Sequence, residues 1–431
     1  MDKGTAMLRS FCFICGLFFC FNGIALEQSR QSYLSRPVGA LDPLRKNAPR
    51  LIWKSSLSGK QTVTIAGVGA GKVAVLAEPE PRMENGVYIP HAIQMLALEI
   101  KSGAAAWRKE LLGGDARTVA DSSRLYMRLQ LPLVSYDDFD FKPDDLKYEM
   151  LTFRWTDGRM GWRIPCGTVN NMLAWNGRLF FDGRENNGIR YMLIAVDANT
   201  GKEQWRTMRG DINGLFPARD ALYAYGESHD PEGEYLNVIN PATGHGMQTL
   251  PFNPQFTVGT HVTVLEWLPQ AQVLVGTVAQ DITPGSNFYQ IRALNADGKP
   301  AWDRPDTSRF KVVNNVLICE SYNRGKGGIP HGLVALDPAT GHELWRRKAA
   351  IDYLGYYDSN LGEWHGQAVV LLGRQLCGLN PRTGKTAWAI DVLPAGAAPV
   401  IKQTRIVGNV ILIAIGGTKD RSAQIRAYAL K

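Results

Sequence analysis

Alternating apolar and polar residues recur along the chain in one fixed frame. Three stretches share it most closely: 193–205, 333–345 and 376–388. Each has an apolar alternation, an Asp or Asn, two variable positions, Thr-Gly, three more residues and a Trp. The alternation predicts a half-buried strand, Asp or Asn with Thr caps the turn, and Gly accepts the positive φ that the turn requires. The frame therefore predicts a β-hairpin that is repeated along the chain.

The spacing of the copies is the strongest evidence for a repeat. The turn glycines are Gly103, Gly158, Gly201, Gly244, Gly298, Gly341 and Gly384. Successive glycines are 43 residues apart in four intervals and 54 or 55 apart in the other two. The Trp position follows each glycine by four residues, and only Gln248 breaks the residue type; the tryptophans are Trp107, Trp162, Trp205, Trp302, Trp345 and Trp388. Four strands per repeat of this length are typical of a propeller blade.

The two ends of the chain complement each other. Seven full copies occupy about 58–392, and the stretch 400–431 supplies further strands but ends before a Thr-Gly-Trp hairpin. The missing outer strand stands at the other end as Leu51–Lys54, which includes Trp53. The sequence therefore predicts an all-β fold: an eight-bladed β-propeller of four-stranded antiparallel blades over 48–431. Pairing of the N-terminal strand with the C-terminal blade closes the ring and covers a sheet edge.

Residues 1–25 have the pattern of a secretory signal peptide. Lys3 and Arg9 precede the apolar run 11–21, and small residues at 23–25 predict cleavage after Ala25. An uncleaved anchor is the less favoured alternative because the run is too short to span a bilayer. Cys15 and Cys20 lack the small preceding residue of a lipoprotein signal. We expect a periplasmic or secreted protein without a lipid anchor, in which 26–47 is a flexible basic tail.

Composition and charge exclude several classes of function. Hydrophobic residues make up 45% of the chain and charged residues 20%, which is enough for a large core. Half of the net charge of +8 lies in the first 50 residues, so the propeller carries no nucleic-acid footprint. After residue 26, no apolar run approaches the roughly 20 residues of a membrane-spanning helix.

The mature chain keeps three widely spaced cysteines, Cys166, Cys319 and Cys377. The absence of any CxxC spacing excludes a zinc site of the paired-cysteine type. We expect buried apolar thiols, and one disulfide remains an alternative whose pairing the sequence does not select.

The repeat resembles the tryptophan-docking motif of the pyrroloquinoline-quinone (PQQ)-like propeller superfamily over about 48–431. Quinoprotein alcohol dehydrogenases and the outer-membrane assembly lipoprotein BamB are members. The resemblance implies two functions, of which we favour a non-catalytic, monomeric, BamB-like scaffold that binds protein partners in the cell envelope. It needs no cofactor, metal or catalytic residue. The alternative is an alcohol or sugar dehydrogenase with PQQ and calcium in the central funnel, although this chain lacks the adjacent cysteines common in such enzymes.

Insertions between the second and third strands of the blades decorate one face of the predicted ring. They fall at 80–90, 133–147, 226–233, 281–287 and 322–331. Exposed aromatic residues on this face are candidate anchors for a partner, and they are Tyr136, Phe139, Phe141, Tyr353, Tyr356 and Tyr357. The first three lie in an acidic insertion without the Gly and Glu of a calcium loop. Neutral drift of the loops, and packing of the tyrosines on a neighbouring blade, are the alternatives.

Overall fold

The computed structural model describes residues 48–57, 61–79, 82–84, 87–89, 91–131, 148–184, 191–209, 211–229, 232–253, 261–283, 286–322, 330–348, 361–372, 375–393, 401–417 and 422–429. Every regular element in these ranges is a β-strand, and none of them contains a helix that could cross a membrane. The predicted signal peptide and basic tail lie outside the described residues.

The strands follow one another with short connections. In chain order they are β1 (Arg50–Leu57), β2 (Gln61–Gly69), β3 (Lys72–Pro79), β4 (Arg82–Glu84), β5 (Val87–Ile89), β6 (His91–Glu99), β7 (Ala105–Ala120), β8 (Arg124–Gln130), β9 (Tyr148–Arg154), β10 (Met160–Cys166), β11 (Met172–Trp175), β12 (Arg178–Arg184), β13 (Tyr191–Asp197), β14 (Glu203–Arg209), β15 (Asp211–Ala218), β16 (Ala221–His229), β17 (Glu232–Ile239), β18 (Gly246–Asn253), β19 (His261–Leu268), β20 (Val273–Thr283), β21 (Ser286–Asn295), β22 (Pro300–Pro305), β23 (Thr307–Val313), β24 (Val316–Tyr322), β25 (Pro330–Leu336), β26 (Glu343–Lys348), β27 (Leu361–Trp364), β28 (Gln367–Leu372), β29 (Gln375–Leu379), β30 (Thr386–Asp391), β31 (Ile401–Val407), β32 (Val410–Ile415) and β33 (Ala423–Ala429).

The strands form antiparallel groups of four, which we call units 1 to 8. Units 3 to 7 are the separate sheets β11–β14, β15–β18, β19–β22, β23–β26 and β27–β30. Units 1 and 2 share one seven-stranded sheet, because the 16-residue strand β7 pairs with β6 through 105–113 and with β8 through 114–120. Unit 1 is therefore β2, β3, β6 and the first part of β7, and unit 2 is the rest of β7 with β8–β10. The sequence did not predict this continuity.

Unit 8 combines the two ends of the chain. The strands β31–β33 are completed by β1, which pairs antiparallel with β33. Leu51 lies opposite Tyr428 and Lys54 opposite Arg426, with a bulge at Ile52. The predicted pairing of 51–54 with the C-terminal strand is confirmed.

The core lies between neighbouring units. Each hydrophobic cluster draws side chains from two of them, as when Trp53 and Leu412 of unit 8 pack with Val63 and Val73 of unit 1. The first strand of every unit contacts the first strand of the next unit, and β31 of unit 8 contacts β2 of unit 1. The fourth strands lie at the sheet edges, except that β7 continues from unit 1 into unit 2. This arrangement of four-stranded antiparallel sheets is that of a propeller.

The residues of the repeated frame join one unit to the next. The Trp162 indole N–H donates to the Ala198 carbonyl of unit 3 at 3.0 Å. A Cβ on Gly201, whose φ is +71°, would lie 2.7 Å from the same indole ring. Asp197 accepts hydrogen bonds from the Thr200 amide and hydroxyl and fixes the turn. Equivalent indole donors to the next unit are Trp53, Trp107, Trp205, Trp302 and Trp345.

Two units depart from this junction. Trp388 is 1% exposed but has no turn glycine to cover, because unit 8 lacks the hairpin; it meets the Trp364 ring edge-on at 5.5 Å. In unit 4, Gln248 is exposed, as its polarity predicts. Leu250, two residues later, covers Gly298 in its place, and a Cβ on that glycine would lie 2.6 Å from Leu250 Cδ2. The apolar contact of unit 4 is therefore kept, whereas its indole hydrogen bond is lost.

Candidate functional site

The face that carries the connections between second and third strands is here called the upper face. Two of the predicted insertions extend the second and third strands of their units. In unit 4 the strand pairing continues to His229 opposite Glu232, and in unit 5 it continues to Thr283 opposite Ser286. The insertion of unit 1 contains the hairpin β4–β5. The six aromatic candidates lie outside the described residues, and they are Tyr136, Phe139, Phe141, Tyr353, Tyr356 and Tyr357. Their role in binding stays a prediction.

A layer of buried polar side chains lies towards the upper face. It occupies one position of the second strand, equivalent by strand register, in five consecutive units. These residues, the polar belt, are Arg128, Asp182, Tyr225, Thr277 and Glu320, and none is more than 4% exposed. Units 1, 7 and 8 carry Leu76, Leu371 and Ala414 at this position. Most buried polar groups are hydrogen-bonded. Arg128, Asp182 and Glu320 have such partners, whereas the Thr277 hydroxyl has none among the described residues.

Arg128 joins units 2 and 3. One of its terminal nitrogens donates to the Val169 carbonyl at 2.9 Å, and the other pairs with the Asp115 carboxylate at 2.5 Å. The guanidinium also lies 4.8 Å from the centre of the Tyr148 ring. Asp115 sits at a β-bulge of β7 with φ of +41°, which turns its half-exposed side chain towards Arg128. The two terminal nitrogens of the buried cation are therefore engaged, whereas its buried Nε has no hydrogen-bond partner among the described residues.

Asp182 ties unit 3 together and orients a link to unit 4. Its Oδ1 accepts the backbone N–H groups of Asn170 and Asn171 at 2.7 and 2.8 Å. The Asn171 side-chain amide donates to Asp182 Oδ2 at 3.0 Å and to the Ile212 carbonyl of unit 4 at 2.8 Å. Burial raises the pKa of Asp182, and the hydrogen bonds from Asn171 and Asn170 oppose that rise. Asp182 therefore holds Asn170 and Asn171, the residues just before β11, against β12 of the same unit. Asn171 in turn links them to β15 of unit 4.

Glu320 is the acidic group of unit 6. It is 1% exposed and accepts the Tyr322 phenol at 3.0 Å. Burial raises its pKa, and the nearby Arg309 partly opposes the rise. The Tyr322 ring stacks on Tyr289 of unit 5 with centroids 4.9 Å apart. This group couples units 5 and 6 through an aromatic contact rather than through an ion pair.

Glu78 is a further acidic group of this region whose pKa burial shifts strongly. It lies at the end of β3 in unit 1, where burial raises its pKa to about 7 and the Asp115 carboxylate adds to the rise. Burial also raises the pKa of the half-buried Cys166 thiol to about 12, so this thiol stays protonated. The three cysteines are free; Cys319 and Cys377 are buried as expected, whereas Cys166 is only partly buried.

The belt does not form a metal centre. Within the described ranges, no group of three or more His, Cys, Asp or Glu side chains is placed to hold a metal ion. Calcium takes six to eight oxygen ligands. Asp182 already accepts three N–H groups, and Glu320 lies three units away with its own phenol donor. The acidic groups of the belt therefore do not fit a PQQ–calcium site.

The sequence contained the signal for the belt. When the second strands of the units are aligned on their first residues, a polar residue occupies the fifth position in five copies. Inspection of each copy alone misses it, because one polar residue in a strand is unremarkable.

Comparison with known proteins places the chain in a family. Residues 195–418, just over half of the chain, match the sequence model of a family described as outer membrane protein assembly factor BamB. The chain belongs to this family of PQQ-like repeat propellers. A search of curated proteins found no match.

Solved structures show the same fold. BamB from Moraxella catarrhalis aligns with a TM-score of 0.52 at 11% identity, over 89% of this chain and 100% of that one. The quinohemoprotein alcohol dehydrogenase ADHIIG from Pseudomonas putida HK5 aligns with a TM-score of 0.53 at 11% identity, over 91% and 77%. The Dos1 propeller aligns with a TM-score of 0.53 at 12% identity, over 88% and 95%. At these identities the likenesses establish the fold alone.

Proposed function

We propose that this protein is an exported, non-catalytic propeller that binds protein partners of the cell envelope and serves outer-membrane protein assembly. The family match over 195–418 carries the proposal. The signal-like sequence 1–25 supports export, and the insertions on the upper face support binding there.

The proposed architecture is a closed ring of eight blades, one for each unit. Contacts between successive first strands support it, because they run from β2 through every unit to β31 and back to β2. The pairing of β1 with β33 supplies the fourth strand of the last blade. The ring would present a broad surface for a partner, on which several blades contribute side chains at once.

A quinoprotein dehydrogenase is the second candidate, because ADHIIG has a similar fold. Two observations weigh against it: the chain has no adjacent cysteines, and the acidic belt residues are already engaged by N–H and O–H donors. We therefore derive no reaction through PQQ.

Two measurements on the full-length exported protein test the proposal. The first is an absorption spectrum with and without added PQQ and calcium, together with dye-linked oxidation of alcohols and sugars. The second is cross-linking in the cell envelope, followed by identification of the captured proteins. We expect no PQQ binding and capture of outer-membrane assembly proteins. Tight PQQ binding with substrate oxidation would replace the scaffold with the enzyme.

The aromatic candidates of the upper face provide the matched variants for the second measurement. Replacement of Tyr356 and Tyr357 by Ala, or shortening of 133–147, should reduce capture without a change in melting temperature. Full capture by both variants would exclude these residues from the interface.

A further inference from the structure

The outer strand of unit 4 differs from every other described outer strand. The residues Gly246, Met247, Gln248 and Thr249 of β18 are all exposed, and the Met247 side chain reaches 64% exposure. In β14 and β26 the third residue is a half-buried Trp that interrupts the exposed run. Unit 4 loses this interruption because Gln248 does not dock and Leu250 makes the contact with unit 5.

β18 is also the one described outer strand without a charged residue. The others carry Lys54, Arg108, Arg163, Arg206, Arg304, Arg346 or Asp391 among their charges. Four of these, Arg108, Arg163, Arg206 and Arg346, follow the Trp directly, and Thr249 holds the equivalent place in unit 4. Charged side chains on an edge strand repel a second strand that would pair there. Seven of the eight outer strands therefore carry a charge that disfavours pairing with a further strand, and β18 does not.

The backbone of β18 offers a short pairing edge. The strand is last in its sheet, so one side of it pairs with β17 and the other side pairs with no described strand. Pro251 has no N–H to donate, which limits the edge to 246–250. The pairing of β18 with β17 shifts register between Gly246 and Gln248, so a bulge at Met247 lies within this edge and 248–250 is its regular part. An extended peptide can add to such an edge as a further strand through main-chain hydrogen bonds.

We propose that the edge 246–250 of β18 binds an uncharged, extended segment of a protein partner by strand addition. The chemistry of the edge selects such a segment: its exposed side chains are Met, Gln and Thr, so no charge on the partner finds a counter-charge there. The inference rests on the proposed scaffold function and names a second contact, away from the upper face.

The test uses full-length exported protein and a labelled, blocked peptide of eight residues that alternates Val and Thr. A second peptide carries Lys in place of Thr. Binding is followed by fluorescence anisotropy, and amide hydrogen exchange locates the contact. We expect the Val-Thr peptide to bind at least tenfold more tightly than the Lys peptide and to protect amides within 246–250.

Thr249→Arg installs the residue that four other repeats carry, and it should weaken binding of the Val-Thr peptide at least tenfold without a change in melting temperature. Thr249→Val is the matched control: it loses the Thr249 hydroxyl contact with Asn237 but adds no charge, and it should bind within about twofold of the parent. Equal binding by Thr249→Arg and the parent, or protection elsewhere, would overturn the inference.

Two further outcomes would also decide against it. A dimer of the parent protein that Thr249→Arg abolishes, seen by sedimentation, would make a second copy of this chain the occupant. Failure of the peptide to bind at about 1 mM would remove the edge as a site. Capture of envelope proteins by the same protein sample is measured separately, so the scaffold function is judged on its own.

Discussion

At the scale of single residues, the polar belt shows how a buried carboxylate is retained. Asp182 accepts two backbone N–H groups and one side-chain amide, so its removal leaves three donors without an acceptor. We expect Asp182→Ala to lower the free energy of unfolding by about 2–4 kcal/mol, since each buried unpaired donor costs roughly 1–3 kcal/mol and the donors relax in part. Urea denaturation at pH 7 measures the loss.

The exposed ion pair of Arg292 and Asp303 is the control for Asp182→Ala. Arg292 Nε lies 2.7 Å from Asp303 Oδ1, but the Asp303 side chain is 41% exposed. Asp303→Ala should cost less than about 1 kcal/mol, because water screens such pairs. Equal losses for the two variants would contradict the role of Asp182 as a junction.

Glu78 makes the stability of the protein depend on pH. Its pKa in the folded protein, about 7, is above the usual value of 4.5. Between these two values the unfolded chain is ionised at Glu78 and the folded protein is protonated, so the free energy of unfolding falls as pH rises from about 5 to 8. Glu78→Gln removes this dependence and should be about 1–3 kcal/mol more stable than the parent at pH 8.

Unfolding curves of the two proteins at pH 5, 6.5 and 8 check the Glu78 prediction. Glu266→Gln is the control, since burial also raises the pKa of Glu266 but Lys311 opposes the rise. A constant difference between Glu78→Gln and the parent at all three pH values would show that Glu78 is ionised throughout.

At the scale of elements, the docking of fourth strands differs between units. Six indoles donate a hydrogen bond to the next unit and cover its glycine, whereas Leu250 of unit 4 only covers Gly298. We expect the amides of β18 to exchange before those of β14 and β26, because one junction bond is absent there. Hydrogen exchange with mass spectrometry resolves the strands. Slowest exchange in β18 would mean that the indole bonds do not set the order of opening.

Sequence reasoning predicted the elements better than it predicted the connections between them. The glycine spacing predicted the hairpins, because turn residues are a local requirement. The outer strand missing at the C-terminal end and the extra strand at the N-terminal end predicted the pairing of 51–54. Sequence reasoning missed the passage of β7 through two units, since Gly113-Gly114 is typical of a turn, whereas the strand continues through these two residues. It also missed Leu250 and the polar belt, because which side chain fills a gap between units depends on packing that only the folded molecule shows.

At the scale of the whole molecule, we expect the fold to tolerate a different position of the chain ends. Arg50 lies opposite Ala429, so a short turn is enough to join β33 to β1. A permuted protein that starts at Gln61 and carries 48–57 after the C-terminus through a short linker should therefore fold with a melting temperature close to that of the parent. Deletion of 48–57 is the comparison: it exposes the apolar surface around Val63 and Leu412 and should lower the melting temperature strongly.

Circular dichroism and differential scanning calorimetry of the permuted and truncated proteins test this prediction. Melting of the permuted protein at the temperature of the truncated one would show that β1 contributes more than a fourth strand to unit 8.

The pairing of β1 with β33 also determines when, during synthesis, unit 8 can form. β1 is synthesised before its partner β33, so Trp53 and Leu57 lack their contacts with β33 until more than 360 further residues have been made. Bringing ends so far apart together costs about 5 kcal/mol in chain entropy, and the interfaces between the intervening units supply the compensating contacts. A chain that stops short of β33 lacks the partner of β1 and leaves Trp53 without part of its cover. We expect such a truncated product to expose apolar surface and to be cleaved by proteases faster than the full-length protein.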